Sequence, residues 1–414
     1  MADRSAAGKS LWSDAWQKLL RSRMAIASMI VLALVALTAF LTPLLPLQPS
    51  DRYYTDLQFA EPTTGPPPQG LGLSLDTIAS ARTDATQLRD SLDDQRTSMQ
   101  AEMRAELAAA KPDAIQAVRD TWRDKLREQR KAASNQVEDT YMRPYRDAGF
   151  PPDLGPLARW MIRSRIALFG DYQIPSLFGR DKMGRDLLAQ ICWGARVSLI
   201  VGIVATLVSL VIGVTYGAVS GYAGGWIDAL MMRFVDVLYS VPFIFVVIFL
   251  LTILGQEDIK KQLSEYGISR ITIFYVVVGA IYWLTMARVV RGQVLSLKHE
   301  LFVEAARAQG AGWGRIVALH LVPNVASVVI VYLTLTIPRV MLFEAFLSFL
   351  GLGVQSPDVS WGLLAKEGMS VITPLRTYWW LVVYPSAAIG LTLFALNFFG
   401  DALRDALDPR LRSE

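Results

Sequence analysis

The chain has 414 residues, 52% of them hydrophobic, with 11 Trp and a formal net charge of +4. So large an apolar share needs a solvent other than water, which excludes an ordinary soluble globular class. The single cysteine, Cys192, excludes an internal disulfide, and the small positive charge reads as a membrane-topology signal rather than a nucleic-acid surface.

Residues 1–23 read as a cytoplasmic N-terminal segment. Within it Leu11, Trp12, Ala15, Trp16, Leu19 and Leu20 repeat at helical spacing, the pattern of an amphipathic helix lying in the membrane interface. Residues 24–46 read as the first transmembrane helix, since 24–45 carries no charge and roughly 20 apolar residues span a bilayer core. A signal peptide is the rival there. Its apolar run would be roughly 7–15 residues with an Ala-x-Ala site behind it, and this run is longer with no such site, so the helix is read as a retained anchor.

Residues 47–180 read as an extracytoplasmic insertion. A Pro/Gly-rich tract at 61–70 cannot pack as helix or central strand. Beyond it Leu88, Leu92, Met99, Met103 and Leu107 share one helical face. Pro112 marks a new helix, along which Ile115, Val118, Trp122, Leu126, Gln129, Ala133, Val137 and Tyr141 share a face. Two amphipathic helices with a tight break predict a helical hairpin, with a partly disordered, charge-rich spacer as the alternative. Its expected role is a platform touching a substrate-binding protein or a partner subunit. Nearer the membrane, Trp160, Met161, Ile162, Ile166, Leu168 and Phe169 alternate with Arg159, Arg163 and Arg165, as in an interfacial helix whose arginines reach headgroups.

Residues 181–400 hold five further apolar windows, at 197–227, 237–256, 271–287, 321–338 and 378–399, and 401–414 reads as a cytoplasmic tail. The fold class is therefore an all-α integral membrane protein with six transmembrane helices and a helical extracytoplasmic insertion. With the N-terminus inside, the short inner segments hold Arg4, Lys9, Lys18, Arg21, Arg23, Arg233, Arg288, Arg291, Lys298, Arg307, Arg315, Arg404, Arg410 and Arg412. The short outer loops hold only Lys260, Lys261, Arg270, Arg339, Lys366 and Arg376, so both termini and the 288–320 loop are expected in the cytoplasm.

Catalytic and metal signatures are missing. Gly8-Lys9-Ser10 imitates the end of a phosphate-binding loop, but Asp3 stands where the earlier glycine belongs and no strand can precede it. His299 and His320 lack carboxylate or thiol companions for a metal. Asp236 with Arg233, and Glu344 with Arg339, lie near helix ends where water is reachable; structural pairing or interface placement is the expectation, with substrate contact as the alternative.

Four stretches carry a resemblance. The first is Phe178-Gly179-Arg180-Asp181-Lys182-Met183-Gly184-Arg185-Asp186, continuing into Gly194-Ala195-Arg196-Val197-Ser198-Leu199. The second is Glu304-Ala305-Ala306 with Gly310 and, after a gap, His320-Leu321-Val322-Pro323-Asn324. The third is Leu347-Ser348-Phe349-Leu350-Gly351-Leu352-Gly353-Val354-Gln355 with Ser360-Trp361-Gly362, and the fourth begins Gly400-Asp401-Ala402-Leu403-Arg404. Together, in this order, they resemble the C-type inner-membrane subunit of dipeptide/oligopeptide ABC importers, a type I importer permease with an EAA loop. Two departures stand out: Arg180 where the family usually has Thr, and His320-Leu321-Val322-Pro323 where the general pattern is Ile-x-Leu-Pro. The 51–170 insertion lies outside the resemblance.

The resemblance implies a transport subunit rather than an enzyme: a multi-pass protein of a bacterial inner membrane, coupling ATPase closure to alternating access. Its EAA loop, about 288–320, would form a short cytoplasmic helix that docks on an ATPase, with Glu304, Ala305, Ala306, Gly310 and Pro323 as the coupling residues. Implied partners are a second homologous permease subunit, two ATPase subunits, an extracytoplasmic substrate-binding protein and membrane lipid, with no nucleic acid. No cofactor is expected in this chain, ATP and Mg²⁺ belonging to the ATPase subunits. Di- or oligopeptides are the expected substrate. A nickel complex or glutathione is the alternative within the family, and an ion-driven secondary transporter the alternative outside it.

Overall fold

A computed structural model describes residues 11–152, 154–254, 256, 259, 262–263, 270–356, 358–374 and 376–407. The described residues are helical apart from loops and two isolated bridges, Arg180 with Asp186 and Thr373 with Arg376. They form two compact units, one of residues up to Phe40 with those from Gln190 on, the other Leu41–Ala189.

The smaller unit is built on a helical hairpin. Helix α3, Leu75–Ala109, starts at a capping box in which the Ser74 hydroxyl accepts from the Thr77 N–H and the Thr77 hydroxyl accepts from the Ser74 N–H. At 35 residues it is about 50 Å long. The chain turns at extended Lys111 and a single 3₁₀ turn, Pro112–Ala114, where proline costs no helical hydrogen bond, and α4, Ile115–Asp147, returns along α3. The face expected of α4 is the one buried or half-buried along its length, with Trp122 at 7% exposure donating its indole N–H to Glu106 at 2.7 Å. Helix α5, Pro156–Phe169, departs from expectation. Of the arginines expected at headgroups, Arg165 is buried, donating to the Leu47 carbonyl at 2.6 Å, and Arg163 donates to the Tyr141 and Tyr145 hydroxyls. A guanidinium carries five donors, so it serves as a brace wherever carbonyls and phenols line up for it.

The larger unit holds α1, Leu11–Arg21; α2, Arg23–Leu41; α6, Leu187–Ala223; α7, Gly225–Ser240; and α8, Phe243–Leu254. It continues with α9, Arg270–Leu297; α10, Leu301–Ala308; a short turn Trp313–Arg315; a π-helical stretch Ile316–Leu321; and α11, Val322–Phe349. Helix α12, Trp361–Met369, and α13, Trp380–Leu407, complete it. Among the described residues five helical stretches are long and apolar enough to cross a membrane: Arg23–Leu41, Leu187–Ala223, Thr272–Leu297, Trp313–Phe349 and Trp380–Leu407. The sixth expected span is not a straight helix. Helices α7 and α8 pass the same test only together, bent by 85° where Val241 is extended before Pro242. Proline lacks the N–H to carry a helix on and drives the preceding residue out of the α region. Pro338 and Pro385, by contrast, sit inside α11 and α13 without ending them, so the fifth span runs well past 338. Helix α1 is also more than an interfacial float: Leu19 and Ala25 are buried with Leu403 of α13, while Trp16 and Leu20 stay exposed.

Helices α6 and α9 pack backbone to backbone. A Cβ on Gly217 would lie 2.4 Å from the Ala287 carbonyl oxygen, and on Gly221 2.9 Å from that of Arg291. Small residues four apart let helix axes approach this closely in a bilayer, where water supplies no hydrophobic drive between helices. The α7–α9 contact combines an apolar cluster, Val235 with Trp283, Leu284 and Ala287, with polar bonds: Arg291 grips Asp228 with two bonds of 2.6 Å, Ser220 also donates to Asp228, and Arg288 pairs with Asp236 at 2.8 Å. Asp236 thus finds its partner on another helix rather than in nearby Arg233.

Candidate functional site: the loop between α9 and α11

Between α9 and α11 the chain makes one isolated helix, α10. Leu301 and three alanines favour it, and Glu304 in its first turn suits the positive end of the helix dipole. Its end is a Schellman motif: the Ala311 N–H bonds the Ala306 carbonyl at 3.0 Å and the Gly310 N–H bonds that of Arg307 at 2.9 Å. This closure requires the left-handed backbone that Gly310 adopts at φ +81°.

One side of α10 is fixed to the protein body. Val303 is fully buried and Ala306 is 7% exposed, packed with Ala218 of α6, Val290 and Val294 of α9, and Ile316, Val317 and Leu321. Arg307 covers the Tyr222 ring at 5.3 Å and donates to its hydroxyl, and the edge of the same tyrosine meets Trp313 at 5.8 Å. The other side is open: Leu301 is 81% exposed, and Phe302, Glu304, Ala305 and Ala308 are exposed beside it. Ala306, one of the coupling residues that the resemblance implies, is buried against the protein body.

The residues singled out from the sequence are therefore divided. Glu304 and Ala305 share the exposed face, Ala306 points inward, and Gly310 ends the helix. Pro323 stands apart in the first turn of α11, exposed, after the π-helical stretch. Sequence reasoning missed Val303, Arg307 and Tyr222; the signal was the amphipathic spacing of Leu301–Ala308. Among the described residues no cluster of three metal-ligating side chains exists.

The turn before α6 also acquires a role within the smaller unit. Asp181 accepts from the Met183 and Arg185 N–H groups at 2.8 Å and from the Arg185 guanidinium at 2.7 Å. Asp186 caps α6 by accepting from the Ala189 N–H and also holds the Ser176 hydroxyl. Its burial pushes the carboxyl up to about 6, against those two hydrogen bonds. Arg180, a minor loop departure on sequence grounds, is buried, bonds Gly184 and Gln48 at 2.8 and 2.7 Å, and covers the Tyr54 ring. Burial lowers its pKa.

The family described as "Binding-protein-dependent transport system inner membrane component" matches residues 213–413, which include the whole α9–α11 loop. The "N-terminal TM domain of oligopeptide transport permease C" matches residues 10–66. The chain is 48% identical over 253 residues to the oligopeptide transport system permease protein OppC of Haemophilus influenzae, covering 61% of this chain and 75% of that protein. It is 45% identical over 235 residues to the dipeptide transport system permease protein DppC of Bacillus subtilis, covering 57% and 69%. With OppC of Escherichia coli K12 it shares 46% over 242 residues, covering 58% and 75%. The chain belongs to the family of inner-membrane permease components of binding-protein-dependent transport systems.

Proposed function

We propose that this protein is the transmembrane subunit of an ATP-driven importer of di- or oligopeptides, and that α10 is where it is driven. The observation that carries the reading is a capped helix, isolated between two membrane-length helices, buried on one side and open on the other. Such an element is rigid enough to transmit a push and free enough to be gripped. Burying a leucine like Leu301 stabilises a contact by roughly 1.5–3 kcal/mol, enough to anchor a docking helix in a cleft.

The partners in this reading are a second homologous permease subunit, two ATPase subunits, which hold ATP and Mg²⁺, and an extracytoplasmic protein that delivers peptide. In this reading both termini and α10 lie on the cytoplasmic side, which the lysine and arginine bias supports. ATP-driven closure of the ATPases draws the two coupling helices together and opens the permease pair outward. A ligand can shift that equilibrium only by its difference in affinity for the two states. Peptide is the substrate favoured by the relatives, whose names specify oligopeptide and dipeptide transport.

Affinity purification of the tagged chain in mild detergent, followed by mass spectrometry, tests this. Wild type is expected to bring down ATPase chains and a second permease. Leu301→Glu, at a highly exposed position, is expected to keep the second permease and lose the ATPases. Wild type eluting without an ATPase, or Leu301→Glu retaining it in full, would refute the docking role.

A further inference from the structure

The hairpin of the smaller unit has chemistry that the transport reading does not use. An open groove of about 550 Å³ lies between α3 and α4, with Tyr141 and Arg159 among its lining residues. Arg82, Arg89 and Arg96 recur every seven residues on α3 and line one wall, and Arg130 faces them from α4. Seven residues of helix rise about 10 Å, so the three α3 guanidiniums are spread over about 20 Å of groove. Among the described residues, none of these four has a hydrogen-bond or ion-pair partner for its guanidinium. Arg159 adds a fifth charge, held over the Tyr141 ring at 5.0 Å.

Like charges lined up without counter-ions repel one another, and a bound anion relieves that repulsion while accepting charge-assisted hydrogen bonds. One further feature narrows the ligand. Asp93 and Glu138 also line the groove, where they suit an ammonium group. Several carboxylates with one ammonium describe a short acidic peptide rather than a phosphate.

We propose that the α3–α4 groove is a binding site for short acidic peptides, holding their carboxylates on Arg82, Arg89, Arg96 and Arg130. The volume falls in the range of small-ligand sites, about 300–1,000 Å³. The groove lies outside both family matches, which cover 10–66 and 213–413. The proposal rests on the peptide-importer reading only for the ligand's class; the site itself is tested without transport.

The full-length protein in detergent is titrated with a fluorescein-labelled Glu-Glu-Ala-Glu peptide and its Lys-Lys-Ala-Lys counterpart. Wild type is expected to bind the acidic peptide and not the basic one, more weakly as salt rises. Arg89→Glu with Arg96→Glu should weaken it about tenfold or more, from two lost ion pairs and the repulsion that replaces them. Arg104→Glu with Arg119→Glu makes the same change in net charge at exposed positions outside the groove, and should leave the affinity within about twofold. Equal binding of both peptides, an unchanged affinity in the groove variant, or an equal loss in the control would overturn the proposal. So would full displacement by inorganic phosphate or anionic vesicles, which would show that any anion suffices. Recovery of ATPase chains with the groove variant is read in parallel: its persistence leaves the importer reading standing if the groove fails.

Discussion

Gly310 offers a quantitative test of how α10 is held. A Cβ at this position would meet nothing within 4 Å, so steric crowding cannot explain a loss on substitution. The whole effect must come from the backbone, which sits at φ +81°. The left-handed region costs an ordinary L-residue about 1–2 kcal/mol, and asparagine less, because its short polar side chain bonds locally. Gly310→Ala should therefore lower the population of the closed Schellman turn by a factor of about 5–30. Gly310→Asn should fall between alanine and wild type. Gly310→Pro should be worst, since proline has no N–H to give Arg307 and its φ is fixed near −65°.

Hydrogen exchange resolved over residues 301–312, with the protein in detergent, reads this directly. Exchange should speed up by the same factor in the order wild type, Asn, Ala, Pro, with little change in α6 or α9. Recovery of ATPase chains should follow the same order if α10 is the docking element. An alanine variant that exchanges like wild type would refute the argument. So would an asparagine variant worse than alanine, because the effect would then follow side-chain size.

Other predictions follow from the packing of the two units. Gly217→Ala must push α6 and α9 apart and should cost about 1–3 kcal/mol in thermal unfolding in detergent, whereas Gly292→Ala, with open space around it, should be neutral or slightly stabilising. Arg291→Met should cost roughly 2 kcal/mol by leaving Asp228 with the Ser220 hydroxyl, and Asp228→Asn added to it should restore part of that; a double variant worse than the sum would refute the pairing. The Asp186 carboxyl is raised from 3.8 to about 6, so the folded protein binds that proton more tightly than the unfolded chain. Its burial therefore costs stability above pH 6, by roughly 3 kcal/mol, and the cost disappears as pH falls toward 4. Hydrogen exchange in the 41–189 unit should slow over that window after correction for intrinsic rates, and Asp186→Asn should remove this component.

The features legible in the sequence were those written in periodicity. The α4 face from Ile115 to Tyr141 and the break at Pro112 follow from spacing and from proline's missing donor, and the structure agrees with both. The break before Pro242 was equally available in principle. The apolar run through 237–256 concealed it, because hydropathy measures composition and not continuity. Arg180 was misjudged for another reason: nothing local marks an arginine as buried, and its partners Gln48 and Tyr54 lie more than a hundred residues away in the chain. The orientation of Ala306 rests on tertiary contacts with α6 and α9, which spacing alone cannot assign when both faces of a helix carry alanine.

Glu344 shows most clearly why a buried charge needs its surroundings before it can be interpreted. A position near a helix end suggested contact with water, yet its exposure is 1%, and among the described residues no lysine or arginine pairs with it. Its two carboxyl oxygens accept from the Ser348 hydroxyl at 2.7 Å and the Ser198 hydroxyl at 3.4 Å. Those hydroxyls in turn accept the backbone N–H groups of Val354 and Trp361. Each serine thus passes the demand of an orphan backbone donor to one carboxylate. An unpaired N–H buried there would cost about 1–3 kcal/mol, so two such relays offset a substantial part of burying the acid. The same geometry accounts for neighbouring glycines: a Cβ on Gly353 would lie 2.2 Å from the Ser348 hydroxyl oxygen, and one on Gly362 2.5 Å from the Ala345 backbone. The stretches around Ser348 and Trp361, separate motifs along the chain, are in space one polar knot joining α6, α11 and the start of α12. Glu344→Gln tests this. An amide has one acceptor oxygen where the carboxylate offers two, so one hydroxyl keeps its acceptor and the other loses it; exchange should quicken at one of the Val354 and Trp361 amides, and no acceleration at either would refute the relay.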